Sequence, residues 1–379
     1  MEAALYHPAH GFYSRLQGFG AAGDYVTSPE THPAFGALLG RQTIDLWQAL
    51  GEPRPFRVLE VGGGSGALAR ALLDHLRAEA PRAARAITYT MVERSPALAA
   101  VQRRTLADHD VRWGSLETER GAHLVLANEV LDAFAVYRVV VRAGELRELR
   151  VGLGGDGRLG WLEAASVPTE VAAYFAALRR LPPEGAVADV NTGLAPWAAA
   201  VADCLDRGLA LVLDYGYPAD ELFARPTGTL LTYYRHTLGS DPLVRLGRQD
   251  ISTHVDFTTL ASAAHAAGLD VLGLIDQAAL LEHLGVAGFR RCLPGSADRR
   301  ALARLVDPRG LGQVRALFLA RGLPADYRPA GLGGTRPWPL PTRPAALPAE
   351  AAPDDFLEQW QEAFGSPVVD HSHPEADSR

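Results

Sequence analysis

One stretch limits what this 379-residue chain can become. Phe56-Arg57-Val58-Leu59-Glu60-Val61 is an apolar strand pattern that carries a carboxylate near its end and opens through Gly62-Gly63-Gly64-Ser65-Gly66. Leu68, Leu72, Leu73 and Leu76 then recur at helical spacing. A strand that turns through glycine into a helix N-terminus exposes free N–H groups and lets a ligand approach the backbone closely. The same turn also suits a plain strand–helix connection that needs positive φ angles and binds nothing.

The rhythm that follows sets the fold class. Strands are expected at 87–93, 111–113 and 124–128, and helices at 67–78 and 96–106. This alternation makes a parallel sheet covered on both faces, with right-handed crossovers. Residues 137–163 depart from it, reading as antiparallel strands that turn at Ala143-Gly144 and at Gly154-Gly155-Asp156-Gly157. Helices are expected around 169–181 and 195–205; the α/β pattern resumes at 209–216, with a strand at 229–234, a helix at 257–267 and a strand at 269–275. Upstream, a glycine-rich loop at 18–25 precedes a helix from about His32 that ends at Gly51-Glu52-Pro53. The expectation is an α/β, Rossmann-like fold in four parts. These are an N-terminal helical segment and lid loop (1–52), a core (53–136 and 207–325), a capping insertion (137–206) and a Pro-rich linker and tail (326–379). A short amphipathic turn in the tail carries Phe356, Leu357, Trp360 and Phe364.

Composition excludes several classes. A net charge of −7 argues against a broad nucleic-acid surface. The two cysteines, Cys204 and Cys292, lie far apart and offer no metal-ligand spacing, which fits a reducing interior. With no secretory pattern at the N-terminus and no apolar run of membrane length, the expected location is cytoplasmic, without membrane insertion.

The ligand is narrowed by its acids. Glu93 ends the second strand, where a carboxylate accepts from both hydroxyls of a ribose. Glycine spacing alone leaves a dinucleotide open, since Gly62, Gly64 and Ala67 also fit G-x-G-x-x-A. Glu60 weighs against that, because a carboxylate beside a pyrophosphate is repulsive, whereas it suits the sulfonium and ammonium of S-adenosylmethionine. A nicotinamide-dependent oxidoreductase is therefore the weaker alternative. Ser115, after the third strand, is a candidate for the adenine edge. Asn128, Glu129 and Asp132 follow the fourth strand, at the carboxyl ends where open α/β sheets bind ligands. Glu129 and Asp132 also suit plain helix capping.

Tyr6-His7-Pro8-Ala9-His10-Gly11-Phe12-Tyr13-Ser14, Gly23-Asp24-Tyr25-Val26-Thr27-Ser28-Pro29-Glu30, Asn128-Glu129-Val130-Leu131-Asp132-Ala133-Phe134, Asp214-Tyr215-Gly216 and the run from Gln249 to Phe257 occur in one order. That order resembles the MidA-like proteins, a family that includes the mitochondrial arginine methyltransferase assisting assembly of respiratory complex I. The resemblance spans about Tyr6 to Leu284 and implies a class I methyltransferase fold, S-adenosylmethionine as cofactor and a protein acceptor, with a respiratory-complex subunit among the candidates. It also leaves open an assembly factor that binds the cofactor without turnover. The chain has Gly63 where the family often has proline, and Val130-Leu131 where aromatics are usual.

In-line methyl transfer needs an aligned nucleophile and little water. For a guanidinium acceptor, Glu129 and Asp132 are the candidate orienting carboxylates, with His254 or Asp256 as the proton acceptor. Asp256 equally suits capping of the helix from Phe257. Gly23, Asp24, Thr27 and Ser28 are expected in a lid near the cofactor, joining Glu60, Gly62, Gly64, Gly66, Glu93, Ser115 and Asn128. No metal is expected.

Overall fold

The structure is a computed structural model that describes residues 1–15, 27–235, 237–293 and 295–334. Its centre is a seven-stranded sheet. The strands are β1 (Phe56–Val61), β2 (Ile87–Val92), β3 (Val111–Gly114), β4 (Ala122–Asn128), β5 (Leu205–Asp214), β6 (Asp270–Asp276) and β7 (Arg315–Arg321). They lie in the order β6-β7-β5-β4-β1-β2-β3. The run from β5 to β3 is parallel, while β7 enters antiparallel to both β5 and β6. The Rossmann-like α/β sheet expected from the sequence is therefore present, with the antiparallel β7 added to it.

The strands are apolar because both faces are covered. Three helices belong to this cover: α1 (Ala34–Ala49), α2 (Ala67–Glu79) and α3 (Pro96–Thr105). Leu38, Leu39, Leu46, Leu68, Leu72 and Leu76 share one core with Val58, Leu124, Leu211 and Phe318. The other face packs Leu59, Val125, Ala210 and Leu319 against Leu194, Trp197 and Val201 of α4 (Leu194–Cys204) and Leu260 of α5 (Phe257–Ala266). α4 lies within the segment read as insertion, yet its apolar face belongs to this core.

α1 is buried even at Arg41, Gln42 and Asp45. The Arg41 guanidinium donates to the Leu284 carbonyl over 2.8 Å. Asp45 accepts from the Tyr327 hydroxyl over 2.6 Å and from the Ala330 N–H over 3.0 Å, so residues 327–332 dock on this helix. Residues 335–379, which hold most of the Pro-rich segment and the tail turn at 356–364, lie outside the described residues.

Residues 137–190, within the segment read as an insertion, contain a separate four-stranded antiparallel sheet of 159–163, 145–153, 137–142 and 187–190. The hairpins turn where glycine was expected to turn them. The fourth strand, Val187–Val190, was not foreseen, nor were β7 and the helices Gln277–His283, Val286–Cys292 and Ser296–Leu305. Among the described residues no helix is long and apolar enough to cross a membrane.

Candidate active site

A cleft of roughly 1150 Å³ of atom-free space, mouth included, opens at the carboxyl ends of β1, β2, β4 and β5. Its floor is the glycine loop. Gly62 and Gly64 have φ of 63° and 54°, a left-handed backbone that glycine adopts without strain. A Cβ at Gly62 would stand 2.9 Å from Val130 Cγ2, so a side chain there would push against the loop after β4. At Gly63 a Cβ would lie 2.1 Å from the Met91 methyl, which fills the room a proline ring would need.

Glu60 lies beneath this loop, 2% exposed, and accepts from the Tyr89 hydroxyl over 2.5 Å. Burial pushes its carboxyl up to about 8; the Tyr89 bond opposes the rise and the Glu93 charge adds to it. Glu93 accepts from the Ser95 N–H over 2.8 Å and from the Gln102 amide over 2.9 Å. The Arg94 N–H also bonds this carboxylate, and its two oxygens together still have acceptor capacity for a ligand hydroxyl. The Gln102 amide also donates to the Gly64 carbonyl over 3.0 Å and its oxygen accepts from the Trp113 indole over 3.0 Å. This buried glutamine ties the glycine loop to Glu93, and sequence reading missed it because a lone Gln on a helix looks like part of a wet face.

The loop after β4 supplies the opposite wall. Glu129 has a φ of 52°, uncommon for a side-chain-bearing residue, and this turns its carboxylate into the cleft. Glu129 Oε1 accepts from the Asn128 amide over 3.1 Å and from the Ser28 N–H over 3.3 Å. Burial raises its carboxyl to about 8, with the Asp214 and Glu30 charges adding to the rise. Asp132 is also raised, by burial first and then by Asp214, Glu129 and Asp250. Asn128 lines the cleft, and its Oδ1 is buried without a hydrogen-bond partner.

Of the residues expected here, Glu60, Gly62, Gly64, Glu93, Asn128, Glu129, Asp132 and Thr27 do line the cleft. Ser28 sits just behind it, its hydroxyl donating to Gln277 Oε1 over 2.9 Å. Gly66 does not line it but stands at the N-terminus of α2. Gly23 and Asp24 lie outside the described residues.

Three expectations need correction. Ser115 is not at the cleft; its hydroxyl pairs with Thr118 over 3.1 Å in an exposed turn. His254 is buried away from the cleft against the Tyr217 ring, and burial pushes its imidazole down to about 3, so it is neutral and shielded at working pH. Asp256 caps α5, accepting from Thr258 and Thr259 N–H over 2.9 and 3.1 Å and from the Tyr174 hydroxyl over 2.6 Å. Glu30, Asp250, Tyr6 and Tyr13 line the cleft in addition. The sequence held their signal only inside motifs whose contacts are remote: the Tyr13 hydroxyl donates to Asp250 Oδ1 over 2.9 Å across 237 positions.

Among the described residues the cleft is thus lined by six carboxylates (Glu30, Glu60, Glu93, Glu129, Asp132, Asp250) and by no Arg or His side chain. Residues 38–275 match a family model described as "Putative S-adenosyl-L-methionine-dependent methyltransferase". The chain belongs to this family.

As an S-adenosylmethionine-dependent methyltransferase it is 31% identical to a COG1565 superfamily protein from Burkholderia thailandensis bound to S-adenosyl-homocysteine. The TM-score is 0.77, over 87% of this chain and 88% of the other. Curated relatives include the Drosophila melanogaster "Protein arginine methyltransferase NDUFAF7 homolog, mitochondrial", 28% identical over 361 residues, covering 84% of this chain and 79% of that one. The Homo sapiens protein arginine methyltransferase NDUFAF7 is 26% identical over 320 residues, covering 76% and 69%. Both are named mitochondrial, which overturns the expectation of a cytoplasmic location. The dinucleotide alternative falls with the family.

The cleft fits the cofactor's chemistry. A carboxylate at the end of β2 suits a ribose, and buried acids with an unpartnered Asn128 Oδ1 suit a ligand carrying a sulfonium and an ammonium.

Proposed function

We propose that this methyltransferase modifies the guanidinium of a protein arginine. The observation that carries the reading is the ring of six cleft carboxylates with no cationic side chain among the described lining residues. Such a ring is costly unless positive charge enters it, because burial already drives Glu60, Glu129 and Asp132 toward their neutral forms. A cationic cofactor accounts for the acids near the glycine loop. Glu129, Asp132 and Asp250 line the same cleft from other segments, and an acceptor cation is their natural complement. The names of the curated relatives support the same acceptor.

S-adenosylmethionine supplies a methyl group already activated on a sulfonium. In our reading Glu60, Gly62, Gly64, Glu93 and Asn128 hold it, and the Thr27–Glu30 segment closes one side. Glu129 and Asp132 orient the guanidinium so that one nitrogen faces the methyl group. The acceptor nitrogen would take the methyl group in line, the cofactor leaving as a neutral thioether, and would pass its proton to a cleft carboxylate. Asp132 takes this role in place of His254 and Asp256, which the fold keeps out of the cleft.

The test is incubation with methyl-labelled S-adenosylmethionine and a total protein extract, followed by mass spectrometry. Label on arginine side chains is expected. Label confined to other residue types overturns the acceptor, and cofactor binding without any labelled product favours an assembly factor that binds without turnover.

A further inference from the structure

Asp214 ends β5 and is fully buried, and it does not line the cleft. Its Oδ2 accepts N–H bonds from three consecutive residues: Val130 over 3.1 Å, Leu131 over 2.8 Å and Asp132 over 3.4 Å. Its Oδ1 accepts from the Tyr215 N–H over 2.8 Å. A buried carboxylate held by backbone donors alone is a rigid anchor for the segment that provides them.

The carbonyls of the same segment are pinned from other elements. Leu131 O accepts from the Asn191 amide over 3.1 Å, Asp132 O from the Thr253 N–H over 2.9 Å, and Ala133 O from the Tyr6 hydroxyl over 3.0 Å. The Glu129 N–H donates to Leu213 O over 2.8 Å, next to Asp214 in the chain. The left-handed backbone of Glu129 is thereby held between a strand end and a capped loop. Without the Asp214 carboxylate, three N–H groups beneath the cleft would lose their acceptor, and the segment after Glu129 would be held by its carbonyls alone, free to relax toward ordinary backbone angles.

We propose that Asp214 is the positioning residue of the transfer site, fixing the loop from which Glu129 and Asp132 reach the cleft. This rests on the reading of Glu129 and Asp132 as the groups that orient the acceptor. Asp214 also acts through its charge. Glu129 is faced by Asp214 from β5, by Glu30 and Ser28 from the N-terminal segment, and by Asn128, Asp132 and Tyr215. Asp132 is faced by Asp214, Glu129, Asp250 and Tyr6. Burial raises the Asp214 carboxyl itself to about 7, opposed by its backbone donors; where it is ionised its charge raises both neighbouring carboxyls, so its removal lets them ionise at lower pH.

Two variants separate geometry from charge. Asp214→Asn keeps one acceptor, sets an NH₂ against a remaining N–H donor and removes the charge; Asp214→Glu keeps the charge and displaces the acceptors by a methylene. Methyl incorporation into a total protein extract is followed across pH, and S-adenosyl-homocysteine affinity is measured by calorimetry. Both variants are expected to lose about 100-fold in rate with cofactor affinity nearly unchanged. The acid limb of the rate profile moves to lower pH in Asp214→Asn and stays in place in Asp214→Glu.

Full activity in either folded variant overturns the proposal, as does a parallel loss of cofactor affinity and helicity, the mark of a merely structural role. If Asp214→Asn does not fold, Asp214→Glu decides by its rate and affinity. Glu129→Gln is run alongside. A fully active Glu129→Gln removes the reading beneath the proposal, whereas an inactive one beside active Asp214 variants refutes the role of Asp214 alone.

Discussion

Ser28 donates its backbone N–H to Glu129 Oε1 over 3.3 Å, joining the N-terminal segment to the loop after β4. The same residue fixes its hydroxyl to Gln277 Oε1, and Gln277 in turn donates to Leu305 O over 2.9 Å. Pro29 and Glu30 are thereby held at the cleft edge, where Glu30 bonds Ser65 of the glycine loop. The N-terminal segment is part of the site.

Ser28→Ala tests this. Gln277 is fully buried, so removing its donor leaves an unsatisfied acceptor, at a cost of about 1–3 kcal/mol. Urea unfolding is expected to show that loss, and calorimetry a weaker affinity for S-adenosyl-homocysteine. Unchanged stability and affinity would mean that the segment is held by other contacts.

Gly64→Val is expected to remove cofactor binding while the sheet stays folded. A φ of 54° is strained for a β-branched residue, by about 1–3 kcal/mol, and the loop relaxes by moving into the cleft. Calorimetry that finds wild-type affinity would refute the placement of the cofactor on this loop.

Legibility followed the range of the forces involved. β1 to β4 and their helices could be read because apolar period and glycine turns are local signals. β7 could not: Ala316-Leu317-Phe318-Leu319-Ala320 is a short apolar run between Arg315 and Arg321, and only its pairing with β5 and β6 makes it a strand. In the site, Glu60 and Glu93 were readable from their place at strand ends. Glu30 and Asp250 arrive by packing between distant segments. His254 was misread because a histidine in a motif suggests proton transfer, whereas burial against Tyr217 is invisible in a linear pattern.

Glu129→Gln is expected to leave S-adenosyl-homocysteine affinity nearly intact and abolish methyl incorporation. Gln is isosteric and still accepts from Ser28, but cannot carry the charge that localises a guanidinium. Burial raises Glu129 to about 8, so the wild-type rate should fall as pH drops below that value before the acceptor binds. A fully active variant would refute its role.

Asp256→Ala should behave in the opposite way. Its carboxylate caps α5 and also takes the Tyr174 and Thr259 hydroxyls, both at 2.6 Å. Loss of the cap alone costs about 0.5–2 kcal/mol, seen as a lowered urea midpoint. Cofactor affinity is expected to stay at the wild-type level; a selective loss of turnover without loss of stability would return Asp256 to the chemistry.

The pH dependence of stability follows from the same buried acids. Glu60 and Glu129 are raised from an ordinary 4.5 to about 8, so between these values the native state binds protons that the unfolded chain has released. Stability from these groups therefore falls as pH rises through that window. Buried histidines oppose it only at the acid end: His75 and His254 are lowered to about 4 and about 3, so they favour the native state increasingly up to their ordinary 6.5 and add no further change above it. Between about pH 6.5 and 8 the carboxyls dominate among the described groups, joined by Asp214, raised to about 7, and opposed by the N-terminal amine, itself lowered from 8.0. The melting temperature of the ligand-free protein should decline across that interval. S-adenosylmethionine brings positive charge that favours the ionised carboxylates, so its binding should release protons, measured as a dependence of calorimetric heat on buffer ionisation enthalpy. A melting temperature that rises from pH 6.5 to 8, or binding without proton release, would show that Glu60 and Glu129 are already ionised in the empty cleft.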